Sequence, residues 1–194
     1  MELLSSALGR RGAWHPAIML LGAMLLAKPA QAPAQIPAAG EYQIKAVLLF
    51  NFTQFVDWPP AAFLTPQSPL VIGVIGEDPF GTTLDDVVRG EQANHRPIVV
   101  RRYRRPEEID ACHILFVSRS ESDRLESILA HLQGRATLTV GDLEGFSVRG
   151  GMIRFLTETR RTHLRVNLAA VKAAGLTISS KLLRSVEIVA PGKH

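Results

Sequence analysis

Apolar residues along this chain fall into two kinds of block, one with helical spacing and one continuous. From Glu41 onward Ile44, Val47, Leu48, Phe52 and Phe55 recur at intervals of three and four, which predicts a helix with one apolar face. Trp58-Pro59-Pro60 ends it, because a proline disfavours helical backbone at the residue before it. Residues 70–75 (LVIGVI) are apolar throughout and lie between Pro69 and Gly76, the pattern of a strand covered on both faces. Pro79 opens a second helix that runs to Val88 and closes at Gly90. Residues 97–103 and 114–117 read as strands, and Ser120 caps a helix carrying Leu125, Ile128, Leu129 and Leu132. Residues 136–140 form another strand. Residues 152–157 and 163–166 form an antiparallel pair joined near 158–161. A short helix over 168–174 stops at Gly175, and Ser179 or Ser180 caps the last one. Strands alternating with helices predict an α/β fold: a three-layer sandwich with a mainly parallel sheet, helices on both faces and a C-terminal antiparallel hairpin at one edge.

The N-terminal segment follows a different logic. Arg10 and Arg11 precede the apolar run 17–27, and Lys28 and Pro29 end that run. A bilayer span needs about 20 apolar residues, so this run is short for one. A basic start, a short apolar centre and a small-residue exit make residues 1–34 a secretory signal peptide, cleaved after Ala34. Residues 35–40 are expected to be a flexible leader and 41–190 the folded domain. Cleavage takes away three basic side chains (Arg10, Arg11, Lys28) and one acidic side chain (Glu2), which lowers the net charge from +4 to +2. The basic balance therefore gives no argument for nucleic-acid binding. Cys112 is the only cysteine, so no intrachain disulfide can form.

Candidate chemistry is sparse. The segment from Gly73 to Gly81 sits between a strand and a helix, but its spacing is not that of a dinucleotide loop. Glu77 and Asp78 also stand where a phosphate would bind. Cys112 and His113 are neighbours on an extended segment, so their side chains diverge and do not pair. The histidines are scattered and no H-E-x-x-H or G-x-S-x-G element occurs, so no catalytic, cofactor or metal residue is assigned. Arg101, Arg102, Arg104 and Arg105 surround Tyr103 on an expected edge strand, where charge prevents unwanted pairing; an acidic partner surface or anionic lipid is the alternative. The loop 141–151, with four glycines and an outlying Phe146, is the segment most suited to carry function on such a scaffold. The candidate partner- or ligand-binding residues are Phe146, Arg149, Gly150, Gly151, Arg101, Arg102, Arg104, Arg105, Asn51 and Asn167. The helix around Phe52, Phe55 and Trp58 is a further candidate surface, with Phe55 and Trp58 expected to be partly core.

The stretches NFTQFVDWP (51–59), GVIG (73–76) through Phe80 and Gly81, CHILF (112–116), VGD (140–142) through Gly145 and Phe146 to GGMI (150–153), NLAA (167–170) through AGL (174–176), and SSKLL (179–183) resemble, in order and coverage, the YfiR family of periplasmic proteins. The resemblance implies a compact α/β domain able to form a homodimer. It implies a periplasmic regulator that binds the periplasmic domain of an inner-membrane signalling protein. The best-known family role is to restrain a diguanylate cyclase, so that cyclic di-GMP, biofilm and exopolysaccharide fall. The disulfide pairs of some members have no counterpart here, which excludes redox control through intrachain bridges. The resemblance carries over no catalytic residue; no cofactor, no nucleic-acid partner and no membrane insertion after cleavage are expected. A small-molecule sensor subunit acting with a histidine kinase is the second reading, and an undescribed periplasmic enzyme the third.

Overall fold

The computed structural model describes residues 38–158 and 161–189. The signal-peptide assignment, residues 35–37 of the leader and the centre of the hairpin turn lie outside them. Helix α1 (Ala38–Phe55) begins three residues earlier than the sequence pattern indicated, so residues 38–40 belong to the helix. It runs into β1 (Val56–Asp57), after which Pro60–Ala62 makes a 3-10 turn. Then follow β2 (Leu70–Ile75), α2 (Thr83–Val88), β3 (Gln92–Ala93), β4 (Arg96–Tyr103) and β5 (Ile114–Val117). Helix α2 starts four residues after Pro79. The Asp78 carboxylate accepts from the Phe80 N–H, and that turn holds the backbone out of the helix. A 3-10 segment, Arg119–Arg124, leads into α3 (Leu125–His131). Ser120 does not cap it; its hydroxyl accepts from the Glu77 N–H of the loop after β2. The chain continues through β6 (Leu138–Gly141), β7 (Ile153–Glu158), β8 (Arg161–Val166), α4 (Leu168–Ala173), β9 (Thr177–Ile178), α5 (Ser180–Leu183) and β10 (Glu187–Ile188). Asn167 and Ser179 cap α4 and α5 with their side-chain oxygens.

The described residues form one mixed sheet of order β10-β8-β7-β6-β5-β2-β4-β3, plus a small antiparallel pair of β1 and β9. Strands β4, β2, β5, β6 and β7 run parallel, and β8 returns antiparallel to β7 from Glu158↔Arg161 to Ile153↔Val166. The hairpin is not itself the edge, because β10 pairs outside β8. Within β2 and β5, successive side chains face opposite sides of the sheet. Leu70, Ile72, Val74, Ile114 and Phe116 join α1, α2 and α4 in one apolar cluster. Ile75, Leu115 and Val117 join Leu125, Ile128 and Leu132 of the α3 region in another.

Helix α1 buries only part of the face that its spacing singled out: Phe52 is buried, and Leu48 and Phe55 are half-buried. Lys45, Ala46, Leu49, Phe52 and Thr53 are buried, whereas Ile44 and Val47 are 44% and 43% exposed. The helix is apolar nearly all round, so periodicity alone carries little orientation. Its buried side also carries Lys45.

Candidate interaction surfaces

At the carboxyl ends of the parallel strands, where open α/β sheets usually receive ligands, the chain places its own charges. Asp142 directly follows β6 and Arg119 lies just beyond β5. The Lys45 ammonium donates to Asp142 Oδ2 at 2.6 Å and lies 2.5 Å from Glu41 Oε1. The Tyr42 hydroxyl donates to the same Oδ2 at 2.9 Å, and Arg119 Nε stands 3.3 Å from it. Asp142 Oδ1 is buried with no hydrogen-bond partner among the described residues. Burial, followed by the Asp142 charge and hydrogen bond, pushes the Tyr42 phenol well above its ordinary range. Burial pulls the Glu41 carboxyl upward, but the Lys45 ammonium and the Thr157 hydroxyl outweigh it and hold it below the usual range. The sequence pattern did not reveal this cluster. Its only signal was a lysine inside an otherwise apolar helical run.

Loop 141–151 is a clamp and not an open contact surface. Phe146 is fully buried, packed among Leu143, Leu125 and Ile128, which corrects its assignment as a surface residue. Gly141 and Gly151 lie against the two sides of its ring, so close that a Cβ at either would collide with it. Arg149 makes a two-pronged pair with Glu126 of α3, at 2.8 and 3.0 Å, and donates to the Ser122 carbonyl. Asn167 donates to the Ser147 carbonyl while it caps α4. Phe146, Arg149, Gly150, Gly151 and Asn167 thus stand together, joined to α3 and α4 by internal bonds.

The arginines of β4 lie apart from that loop. Beyond Ile98, whose N–H donates to the Glu91 carbonyl, β4 pairs with no strand on its outer side among the described residues, the open edge that the charge pattern predicted. Arg101 pairs with Asp110 at 2.8 Å, and Arg102 pairs with Asp78 and Asp85 at 2.7 and 2.5 Å. Arg105 reaches Glu108 at 3.3 Å. Arg104 pairs with no carboxylate among the described residues. Asn51 is half-buried on α1, one turn beyond Val47.

Cys112 and His113 do not meet chemically. The Cys112 thiol is buried and donates to the Ile114 carbonyl. The His113 ring stacks on Phe63 at 4.4 Å, and Arg96 covers the far face of that phenyl at 3.7 Å. Among the described residues, no group of three or more His, Cys, Asp or Glu stands where it can hold a metal ion. No helix of the described residues is long and apolar enough to cross a membrane.

No curated protein shows significant similarity to the chain. A family model described as YfiR/HmsC-like matches residues 42–186, about three quarters of the sequence and all of the sheet except β10. The chain belongs to the YfiR/HmsC-like family of periplasmic regulatory proteins.

Proposed function

We propose that this protein binds the periplasmic domain of an inner-membrane signalling protein, a diguanylate cyclase, and holds it in its less active state. Family membership supports the regulatory role, and the observation that carries the contact site is the outer face of α1. Ile44 and Val47 stand exposed there at helical spacing, with half-buried Leu48 and Asn51 beside them. In this reading residues 1–34 are the cleaved leader, and the body is a three-layer sandwich with α1 and α2 over one face and α3 over the other. The same face of α1 or the β4 edge would serve a homodimer. Stoichiometric binding shifts the partner's equilibrium only as far as it favours one state over the other.

The test is a deletion strain complemented with wild type or with Ile44→Glu/Val47→Glu. Deletion is expected to raise cyclic di-GMP and biofilm. The double variant is expected to fold and yet fail to lower them. Unchanged cyclic di-GMP on deletion overturns the cyclase reading. N-terminal sequencing of the exported protein tests cleavage after Ala34.

A second reading, a sensor whose bound small molecule sets its affinity for the partner, is favoured by the cleft between α3 and α4. Native mass spectrometry of the purified protein against candidate metabolites tests it.

A further inference from the structure

Two hollows meet at the end of the sheet opposite the Lys45–Asp142 cluster. One, of about 310 Å³, lies between α3 and α4, against Leu129, Leu132, Met152, Ala170 and Ala173. The other, of about 570 Å³, lies against Pro59, Ala62, Leu64, Asp110 and Cys112. They share Gly134, Arg135, Thr137 and Ala174, so they adjoin along a common wall and make up a two-part cleft. The inner hollow is mostly apolar, with Gln133, Thr137 and Thr139 also in its walls, and its alanines and glycines leave room that larger side chains would fill. Its volume is in the range of small-molecule sites, roughly 300–1,000 Å³.

Arg135 stands where the hollows join. Its side chain is exposed, and its Nη1 donates to the Ile109 carbonyl at 2.6 Å, which tethers the guanidinium there. It pairs with no carboxylate among the described residues. Asp110 lines the outer hollow, but its Oδ1 is engaged by Arg101 at 2.8 Å and by the Ala111 N–H at 2.7 Å. The charge left without a partner at the junction is therefore positive, beside an apolar slot.

We infer that this cleft binds a short aliphatic monocarboxylate, with its chain between α3 and α4 and its head on Arg135. The slot rewards removal of methylene groups from water. The planar guanidinium offers the parallel donors that a carboxylate accepts. This deepens the small-molecule reading above, rests on it, and does not depend on the partner being a cyclase.

Octanoate, with octanol as the uncharged counterpart, tests the inference by calorimetric titration and thermal melting of the full-length protein. Octanoate is expected to bind saturably and raise Tm. Octanol is expected to bind about tenfold more weakly, the loss for one charge-assisted contact at an open site. Arg135→Gln is expected to bring octanoate down to the octanol level. Ala173 is exposed on α4, so Ala173→Leu narrows the slot without burdening the core. It should abolish binding of both probes, and Ala130→Leu does the same from α3. No saturable octanoate binding, equal affinity for the two probes, or unchanged binding in both leucine variants overturns the inference. The sensor reading falls separately: octanoate that binds in the cleft and leaves partner affinity unchanged removes the sensor and keeps the site.

Discussion

The Lys45 ammonium lies 2.6 Å from the Asp142 carboxylate with both side chains sealed from water, and this pair, with the Tyr42 hydroxyl beside it, joins α1 to the carboxyl end of β6. Each charge meets further polar groups: Glu41 on the lysine, and Tyr42 and Arg119 on the aspartate. Such a pair gains little over a well-packed apolar substitute, but removing one member strands the other in a dry site. Lys45→Met is therefore expected to destabilise the fold by about 3–5 kcal/mol. The double variant Lys45→Met/Asp142→Leu should lose clearly less than the sum of the two single changes. Urea denaturation of the four proteins measures the coupling. Additive losses would mean that the two groups act independently.

Phe146 and Gly151 are coupled sterically. Phe146→Ala empties a fully buried ring site and is expected to cost about 3–5 kcal/mol. Gly151→Ala places a methyl against that ring in the wild type. In the Phe146→Ala background the same methyl enters the space the ring has left. Its cost should shrink by an amount within the roughly 0.5–3 kcal/mol seen for contacting residues. Equal costs for Gly151→Ala in both backgrounds, measured by chemical denaturation, would show that the ring does not dictate glycine at 151.

The main strands were legible in the sequence because runs such as Leu70–Ile75 and Ile114–Val117 are apolar at every position, and few other structures bury both faces. The two-residue strands β1, β3, β9 and β10 were not. A pair of residues has no period, and β1, β9 and β10 exist only through partners far along the chain, as in Val56↔Ile178, while β3 is a short turn back onto the start of β4. The orientation of α1 was only partly legible for the opposite reason: too many of its positions are apolar, and its buried side also carries a lysine that meets an aspartate 97 positions later. Phe146 looked like a surface aromatic because glycines surround it in sequence. In three dimensions those glycines are what admits the ring. The Arg101–Arg105 edge was readable from charge alone, since an open strand edge and a run of arginines answer the same need. The Arg135 cleft gave no local signal, because its walls come from α3, α4 and the loops before β5 and β6.

Cys112 is expected to be chemically silent in the folded protein. Burial pushes its thiol up to about 12, far above the pH at which thiolate would form in the cell envelope. Ellman's reagent at pH 8 should leave native protein unmodified over a time in which urea-unfolded protein reacts fully. Rapid reaction of the native protein would mean that the strand segment carrying Cys112 opens readily, or that the thiol is not enclosed.

His113 makes stability depend on pH, with a sign its hydrogen bonds decide. The Val71 N–H donates to Nδ1 at 3.1 Å, so Nδ1 carries no proton, and Nε2–H donates to the Ala62 carbonyl at 3.2 Å. A second proton has no acceptor at Nδ1 and would face the Val71 N–H. Burial lowers the basicity of the ring; the Ala62 bond opposes that and the Arg96 charge adds to it, leaving the net direction downward from the ordinary 6.5. As pH falls below 6.5 the unfolded chain takes up a proton that the folded chain refuses. Stability is thus full above 6.5 and declines below it, by up to about 1.4 kcal/mol per pH unit, until the folded ring also titrates. The strands and the loop that His113 joins, residues 59–63 and the start of β2, should be the first to lose hydrogen-exchange protection. Denaturation at pH 7.5 and pH 5 measures the slope. His113→Asn, whose side-chain oxygen accepts a hydrogen bond without titrating, should remove this residue's share of it. An unchanged slope in that variant would assign the acid sensitivity to other groups.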